Sequence, residues 1–193
     1  MNTGPLISDF PSAGLSTGRL LLRKADASHA KSVQAYLVQN RAYLQTWEPL
    51  RNEAFFELNA VKQRLNAMAS ATARGDALHL LFFSSENGKL SAACNFTNIV
   101  RGPFQACHLG YSIAEPLQGL GLMHEGLTAA ITHVFQKMKL HRIMANYRPE
   151  NTRSARLLAR LGFQREGLAH SYLNINGAWS DHILTALINP ADT

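Results

Sequence analysis

Two glycines in the middle of the chain, Gly119 and Gly121, connect an apolar run to a helical pattern. The run Leu109–Ile113 is typical of a strand, and Pro116 ends it because proline has no backbone N–H to donate. From Leu122 onward, apolar residues recur at helical spacing. A strand, a glycine turn and a helix in this order direct free N–H groups and the positive end of a helix dipole at one point. That point suits a phosphate or pyrophosphate, although the pattern also fits an ordinary strand-to-helix turn.

Three motifs that share parts of this pattern do not fit the residues. A dinucleotide fingerprint requires a third glycine where His124 stands, and no Gly-Lys-Ser/Thr follows to make a P-loop. His124 and Glu125 match the start of the zinc-protease helix, but Thr128 occupies the position of its second histidine. The sequence therefore predicts no metal site of this kind.

Composition limits the class of protein. The chain has 193 residues, of which 46% are hydrophobic and 17% charged, as in an ordinary globular protein with one full core. It contains no run of about 18 apolar residues, so no membrane partner is predicted. Residues 1–15 lack the basic start and apolar centre of a signal peptide. We therefore expect a flexible arm over residues 1–15 and a single domain over residues 16–193.

Charge and cysteine content indicate the partners and the compartment. The formal net charge is +6 and the pI is near 9.6, which favours an anionic partner such as RNA, a ribonucleoprotein surface or a phosphorylated cofactor. The basic residues are dispersed, so they do not by themselves predict nucleic-acid binding, and no DNA partner is expected. Cys94 and Cys107 lie inside predicted strands, which is typical of buried free thiols in a reducing compartment. A cytoplasmic location follows.

Hydrophobic periodicity predicts the element order β-α-α-β-β-β-α-β-α-β-β. The predicted strands are 18–23, 78–84, 90–99, 106–113, 140–147, 164–175 and 179–188, and the predicted helices are 27–39, 55–73, 122–138 and 153–161. Asn87-Gly88 and Asn176-Gly177 are typical of tight hairpin turns. The fold class is therefore α+β, with a mixed, mostly antiparallel sheet flanked by helices.

In this arrangement the chain resembles the GNAT family of acyl-CoA N-acetyltransferases over about residues 16–189. The acetyl-CoA signature of that family, Gln/Arg-x-x-Gly-x-Gly/Ala, corresponds here to Gln118-Gly119-Leu120-Gly121-Leu122-Met123. Met123 departs from the signature at its last position. The departure is compatible with binding, because backbone amides bind the ligand.

Further segments resemble the subgroup that acetylates the N-termini of ribosomal proteins. They are Leu140-His141-Arg142-Ile143, Asn151-x-x-Ser154, Leu161-Gly162-Phe163-x-x-Glu166-Gly167 and Asn176-Gly177-x-Trp179-x-Asp181-His182. Four other strings narrow the resemblance to the branch that acetylates an N-terminal alanine of a small-subunit ribosomal protein. They are Trp47-Glu48-Pro49, Asn95-Phe96-x-Asn98-x-Val100-Arg101-Gly102, Leu109-Gly110-Tyr111-Ser112-Ile113 and Arg142-Ile143-Met144-Ala145-Asn146-Tyr147.

The resemblance implies acetyl-CoA as co-substrate, with no metal. It places the pyrophosphate on the loop from Gln118 to Met123 and the pantetheine along Tyr111-Ser112-Ile113, between splayed strands. It also makes Asn151 a contact of the cofactor and puts the hydroxyl of Ser154 near the sulfur. The alternative for Asn151 and Ser154 is simple capping of the helix that they begin.

The reaction implied is attack of an amine on a thioester, so the site needs an acid and a route for the amine proton. Ser154 is the expected acid, since a thiolate with a pKa of about 8.5 needs little help to leave. His108 and Glu48 are the candidate bases, with a strand histidine of no catalytic role as the alternative for His108. A water relay would also suffice, because at neutral pH about a tenth of an α-amine is unprotonated. Cys107 lacks a paired base, so direct transfer is expected.

The acceptor pocket is predicted to involve Trp47, Asn95, Phe96 and Tyr111, each of which could instead be a core residue. The predicted function is transfer of the acetyl group of acetyl-CoA to the N-terminal alanine of a small-subunit ribosomal protein. The ribosome or a pre-ribosomal particle is a further expected partner. Two alternatives stay open: acetylation of another primary amine (a polyamine, an amino-acid derivative or an aminoglycoside), and a ribosome-assembly factor that binds rRNA.

Overall fold

The structure is a computed structural model that describes residues 10–192. Within these residues, eight strands form one sheet in the order β1-β2-β3-β4-β5-β6-β8-β7. The strands are β1 (Leu15–Ser16), β2 (Leu20–Lys24), β3 (Leu78–Ser84), β4 (Leu90–Val100), β5 (Ala106–Ile113), β6 (Arg142–Tyr147), β7 (Gln164–Ile175) and β8 (Ala178–Ile188). The helices are α1 (Ala30–Gln39), α2 (Arg41–Leu44), α3 (Leu58–Arg74), α4 (Leu122–Gln136) and α5 (Thr152–Arg160). This confirms the predicted mixed, mostly antiparallel sheet flanked by helices.

The pairing of β5 with β6 is parallel, whereas every other strand pair in the described sheet is antiparallel. Its register covers three residue pairs and stops at His108 and Met144. Beyond this point β5 stays paired with β4 as far as Ile113, while β6 stays paired with β8 as far as Tyr147. The two strands therefore splay apart, and the sheet opens between residues 109–113 and 145–147.

Two apolar clusters cover the two faces of the sheet. The larger cluster packs α4 and α5 against one face and includes Phe82, Leu127 and Leu158. The smaller cluster packs α1 and α3 against the other face and includes Val61 and Leu65. The helices are thus held by burial of their apolar stripes, as their 3.6-residue periodicity predicts.

Tight packing of α4 on the sheet requires glycine at position 126. A Cβ added there would lie 2.6 Å from Cδ2 of Phe82, whose ring is completely buried. We expect Gly126→Ala to lower the free energy of unfolding by about 1–3 kcal/mol, because overpacking outweighs the gain in helix propensity. Denaturant unfolding measures the change. Gly167→Ala is the control, since in residues 10–192 no atom lies within 4 Å of its added Cβ; an equal loss in both variants would contradict the packing argument.

The element bounds differ from prediction mainly at helix starts. The helix predicted from residue 55 begins at Leu58, because the side chain of Asn52 accepts a hydrogen bond from Phe55 N–H and caps a separate 3₁₀ turn over Glu53–Phe56. Likewise Asp26 caps a 3₁₀ turn over Ala27–His29 before α1 begins. The short elements β1 and α2 are not predicted from the sequence, because neither is long enough to show a period.

The predicted N-terminal arm lies partly outside the described residues, which begin at Phe10. Phe10 is 2% exposed and its ring packs edge-on against His133, with the ring centroids 4.9 Å apart. Leu15 then pairs with Leu22 of β2. Phe10 and Leu15 thus pack on the main apolar cluster, whereas residues 11–13 between them are exposed.

The described part of the chain, residues 10–192, shows neither a membrane-spanning helix nor a metal-binding cluster. None of the helices there is long and apolar enough to cross a membrane. In the same residues, no group of three or more histidine, cysteine, aspartate or glutamate side chains is placed to hold a metal ion.

Candidate active site

A cleft of about 540 Å³ occupies the opening between β5 and β6. Its walls come from the loop after β5, the start of α4, the end of β6, one face of α5 and the segment after α2. The predicted site residues that line it are Trp47, Glu48, Tyr111, Ser112, Ile113, Gln118, Gly119, Gly121, Leu122, Met123, Asn151 and Ser154. Leu120 belongs to the same loop but is 55% exposed and lies outside the lining. The splay thus brings together most of the candidate residues.

The glycine loop adopts a conformation that favours glycine. Gly119 has φ +75° and Gly121 has φ +78°, both in the left-handed region. Gly121 is the N-cap of α4, and in the described chain no side chain caps this helix end. The first N–H groups of α4 are therefore left for a ligand, together with the positive end of its dipole.

Gln118, the first residue of the loop, provides a second indication of a ligand. Both polar atoms of its side-chain amide are buried, and neither has a hydrogen-bond partner within residues 10–192. A buried amide without partners costs about 1–3 kcal/mol, so such groups are rarely left unpaired. Because Gln118 lines the cleft, its amide fits a polar ligand bound there.

An ion pair that the sequence analysis missed holds this loop against β2. Arg19 Nε donates to Glu125 Oε2 at 2.7 Å, and Arg19 Nη1 donates to the carbonyl of Leu120 at 2.9 Å. Glu125 Oε1 also accepts from Thr17 Oγ1 at 2.6 Å. Burial raises the pKa of Glu125 while these hydrogen bonds lower it, and the net shift is downward. The carboxylate is engaged by these donors, which limits its repulsion of an anion at the helix start.

Four arginines along one wall make the cleft strongly cationic. Arg153, Arg156 and Arg160 of α5 line it together with Arg148. Their spacing puts the three α5 residues on one helix face. Among described residues, only Arg148 of these has an ion-pair partner, Glu150, at 3.4 Å. This wall suits a ligand with several phosphates. The sequence analysis missed these arginines, although their i, i+3, i+7 spacing could have indicated a basic helix face.

The shortest polar contact in the cleft joins β5 to α5. Tyr111 Oη lies 2.5 Å from Ser154 Oγ. Burial raises the pKa of Tyr111 to about 12, with the Ser154 hydrogen bond acting in the opposite direction. Tyr111 is therefore protonated at neutral pH, so its O–H can donate to Ser154 and leave the serine proton free for another acceptor.

Asn151 caps the start of α5, which was the alternative to a role as a contact of the cofactor. Its Oδ1 accepts the N–H of Ser154 at 3.0 Å at the start of α5. Both residues also line the cleft. The cap holds the backbone of Ser154 at the start of α5, so capping is compatible with a place for both residues in the site.

Glu48 and Trp47 also line the cleft, and they belong to the segment after α2. Burial raises the pKa of Glu48, and the nearby charge of Arg51 opposes this only in part. A carboxylate with a raised pKa is better able to accept a proton near neutral pH. Of the two predicted bases, Glu48 is the one that the structure places in the cleft.

Besides Leu120, three predicted site residues lie outside the cleft lining. His108 sits where β5 is still paired with both neighbours, opposite Thr97 and Met144. Asn95 Oδ1 forms a 2.7 Å hydrogen bond with Nδ1 of His79, and Phe96 is completely buried in the core. The expected roles of these residues in proton transfer and acceptor binding stay predictions.

The two cysteines are free and buried, as predicted. Burial raises the pKa of Cys107 to about 12, and it raises the pKa of Cys94 as well. A protonated thiol is a poor nucleophile. The geometry therefore favours direct transfer over an acyl-cysteine intermediate.

Comparison with known proteins identifies the family. Residues 19–164 match the family model described as the acetyltransferase (GNAT) domain. The chain belongs to the GNAT acetyltransferase family. It is an acetyl-CoA-dependent N-acetyltransferase, and the glycine loop, the amide of Gln118 and the arginine wall fit acetyl-CoA as its co-substrate.

Individual members of the GNAT family resemble this chain over almost its whole length. The [ribosomal protein uS5]-alanine N-acetyltransferase of Escherichia coli (strain K12) is 44% identical over 95% of this chain and 94% of that protein. The crystal structure of the ribosomal-protein-S5-alanine acetyltransferase from Vibrio fischeri is 39% identical, with a TM-score of 0.87, over 91% of this chain and 96% of that one. The structure of Mycobacterium smegmatis RimJ in complex with CoA-disulfide is 27% identical, with a TM-score of 0.82, over 91% of this chain and 83% of that one. This GNAT enzyme is thus of the RimJ type.

Proposed function

We propose that this GNAT enzyme acetylates the N-terminal alanine of ribosomal protein uS5. The observation that carries the proposal is the 44% identity, over 95% of this chain, to an E. coli enzyme named for that acceptor. The substrate is accordingly a small-subunit ribosomal protein. The enzyme would bind it as a free protein, on the ribosome or on a pre-ribosomal particle. Such a substrate implies a cytoplasmic enzyme, acting through a single catalytic domain over residues 16–193.

The residues proposed to hold acetyl-CoA follow the cleft from one end to the other. The N–H groups of Gly119–Met123 and the α5 arginines would bind the phosphates, and Gln118 would use its unpaired amide. Tyr111-Ser112-Ile113 would contact the pantetheine along the edge of β5 that no longer pairs with β6. When bound, acetyl-CoA supplies an activated acetyl thioester.

Ser154 and Tyr111 are proposed to supply the proton for the leaving thiolate. Ser154 Oγ gives its proton to the sulfur as the carbon–sulfur bond breaks, and it receives the proton of Tyr111 Oη across the 2.5 Å contact. Tyr111 recovers a proton from solvent through the open cleft. The role of Tyr111 is to position Ser154 and to return a proton to it, whereas Ser154 touches the reacting atoms.

Glu48 is proposed to accept the proton that the amine loses. It lines the acceptor end of the cleft with Tyr43 and Trp47, and in that lining it is the one acidic side chain among the described residues. A polyamine would need several carboxylates to neutralise its charges, so this lining favours an acceptor with one amine. His108 lies outside the cleft lining, and so Glu48 is the preferred base.

The role of Glu48 predicts a specific pH dependence. The α-amine, with a pKa of about 8, and Glu48 must both be deprotonated, so log(kcat/KM) should rise with a slope of about two below the Glu48 pKa and about one above it. Because burial raises the pKa of Glu48, the slope of about two should persist to a higher pH than it would with an ordinary carboxyl group. We expect Glu48→Gln to lower kcat/KM about 10- to 100-fold and to leave a slope of about one throughout.

The measurement is initial rate against pH with an Ala-initial peptide at subsaturating concentration. Glu57→Gln is the control, since Glu57 is an exposed glutamate just before α3. A pH profile of Glu48→Gln that keeps the steep limb would exclude Glu48 as the base and favour the water relay.

The proposed function is tested with a panel of acceptors and an acetyl-CoA consumption assay. The panel holds uS5, peptides with free N-terminal Ala, Ser or Met, a lysine peptide with a blocked N-terminus, and spermidine. We expect turnover with uS5 and Ala-initial peptides and little with the others. Turnover confined to spermidine would replace the acceptor while keeping the enzyme class, and binding of pre-ribosomal particles without any acetylation would favour the assembly-factor alternative.

A further inference from the structure

Gly110 lies in the middle of β5, at a position where the fold itself would accept an alanine. It pairs with Asn95 of β4 in a part of the ladder that has no register shift. Its φ lies outside the left-handed region, and a Cβ added to it would meet no described atom within 4 Å beyond its chain neighbours. Glycine weakens the interior of a strand, because it packs no side chain and loses more backbone freedom on folding. Neither backbone conformation nor packing within the described chain therefore requires glycine at position 110.

The other glycine inside a strand of the described sheet, Gly167 of β7, shows the contrast. Gly167 lies where the register with β8 shifts, and such irregular positions often contain glycine. It does not line the cleft, whereas Gly110 does. In a regular strand, glycine often marks a place where a ligand or another backbone approaches closely. The position of Gly110 in the cleft lining thus indicates a ligand above its backbone.

The open side of Gly110 is on the face of the sheet that α1 covers. Successive side chains of a strand point to opposite faces, and the side chain of Tyr111 points to Ser154 of α5. Position 110 therefore faces the other way, as does Ser112, whose Oγ accepts a hydrogen bond from Tyr36 of α1 at 3.0 Å. A ligand above Gly110 would lie on the α1 face, opposite the expected acid.

Polar groups from both sides of the opening share this face with Gly110. The parallel register pairs His108 with Met144, so two residues further on Gly110 and Asn146 face the same side. Asn146 also lines the cleft. Glu48 is close to Tyr36, because burial and the charge of Glu48 both raise the pKa of that tyrosine. The expected base and the space above Gly110 are thus on the same side of the sheet.

An N-terminal amine is bulkier near its nitrogen than other primary amines. The carbon that bears it also carries a carbonyl group and, in alanine, a methyl group. The amines of lysine and spermidine are instead attached to an unbranched CH₂. An enzyme that brings an α-amine to a thioester must leave room for the groups beside the nitrogen, and the missing Cβ of residue 110 leaves such room on the α1 face.

We propose that Gly110 is a specificity-determining residue, and that the methyl group of the acceptor's first residue occupies the space above its bare backbone. The inference rests on the proposed function and deepens it. A methyl group at position 110 would compete with the acceptor's methyl group for one space. The glycine loop and the α5 arginines, which are proposed to hold the phosphates, would be unchanged.

The test compares wild-type enzyme and Gly110→Ala with two peptides that differ only in an N-terminal Ala or Gly. We expect the variant to lower kcat/KM at least about tenfold for the Ala-initial peptide and less than about threefold for the Gly-initial peptide. The Kd for acetyl-CoA should stay within about twofold, and the melting temperature should be unchanged or higher, since alanine suits a strand better than glycine. Gly167→Ala is the matched control, because its added Cβ also meets no described atom within 4 Å. It should change neither kcat/KM value.

Each other outcome overturns a defined part of the argument. Equal losses with the two peptides, or no loss with either, would overturn the specificity role of Gly110 while leaving the proposed function intact. A lower melting temperature would show that Gly110 serves the fold, and a raised Kd for acetyl-CoA would show that it serves the cofactor; either result would overturn the inference. A wild-type enzyme that modifies neither uS5 nor the Ala-initial peptide would overturn the proposed function, and with it this inference.

Discussion

Replacing Gly119 by glutamate is expected to raise the Kd for acetyl-CoA by at least about 100-fold, equivalent to about 2.7 kcal/mol. Gly119 has φ +75°, and a Cβ built on it meets no atom within 4 Å among the described residues. The new side chain would therefore project into the open cleft without a clash in the protein. There its charge would repel the phosphates that the loop amides and the start of α4 are arranged to bind.

The matched control for this variant is Gly102→Glu. Gly102 has φ +71°, is also exposed, and likewise has an open Cβ position within residues 10–192. The two substitutions should thus cost similar stability, about 1–2 kcal/mol for a left-handed residue that is not glycine. Gly102→Glu should leave acetyl-CoA binding unchanged, because it lies in the β4–β5 turn. Calorimetric titration measures both affinities, and similar Kd values for the two variants would contradict the phosphate-binding role of the loop.

The second large effect is expected from Ser154→Ala, which should lower kcat about 100-fold while changing the Kd for acetyl-CoA less than about threefold. The hydroxyl is lost, whereas the N–H of residue 154 still donates to Asn151 and keeps the cap of α5. Tyr111→Phe should lower kcat about tenfold, since Ser154 keeps its own proton but loses the group that orients and recharges it. Stopped-flow measurement of thiol release separates this step from product release.

The control for the Tyr111–Ser154 pair is a second tyrosine–serine pair in the same molecule. Tyr36 Oη donates to Ser112 Oγ at 3.0 Å, and burial raises the pKa of Tyr36 as it does that of Tyr111. Tyr36→Phe should cost a similar amount of stability, about 1 kcal/mol, with a much smaller loss of kcat. Equal losses of kcat in the two tyrosine variants would mean that Tyr111 acts through packing. A large rise in the acetyl-CoA Kd of Ser154→Ala would make Ser154 a binding residue.

The local features of the site were predictable because they depend on residues close together in the chain. The turn through Gly119 and Gly121 follows from a strand, two glycines and a helical pattern in sequence. The N-cap formed by Asn151 spans three residues. The Asn176-Gly177 turn has φ values of +58° and +81°, as expected where both residues must be left-handed.

Contacts between distant segments could not be read from such patterns. Arg19 and Glu125 are 106 residues apart, and Tyr111 and Ser154 are 43 residues apart. Polar residues of these types occur throughout the chain, and no periodicity indicates which two will meet. His108 illustrates the same limit, because the sequence indicates a strand there without showing where its parallel partner departs from it.

The mixed sheet, the phosphate-binding turn and, through the motifs, the family and its co-substrate could all be predicted from the residues in order. These properties reside in hydrophobic periods, turn residues and short strings, all of which are local. Which residues share the cleft became clear only from the folded arrangement. Pairing of β5 with β6 stops after His108, so Tyr111 and Ser154 face a common space while His108, Asn95 and Phe96 remain in the paired and buried part of the sheet. Where two strands separate depends on how each of them pairs with its other neighbour, here β4 and β8, and that is a property of the whole fold.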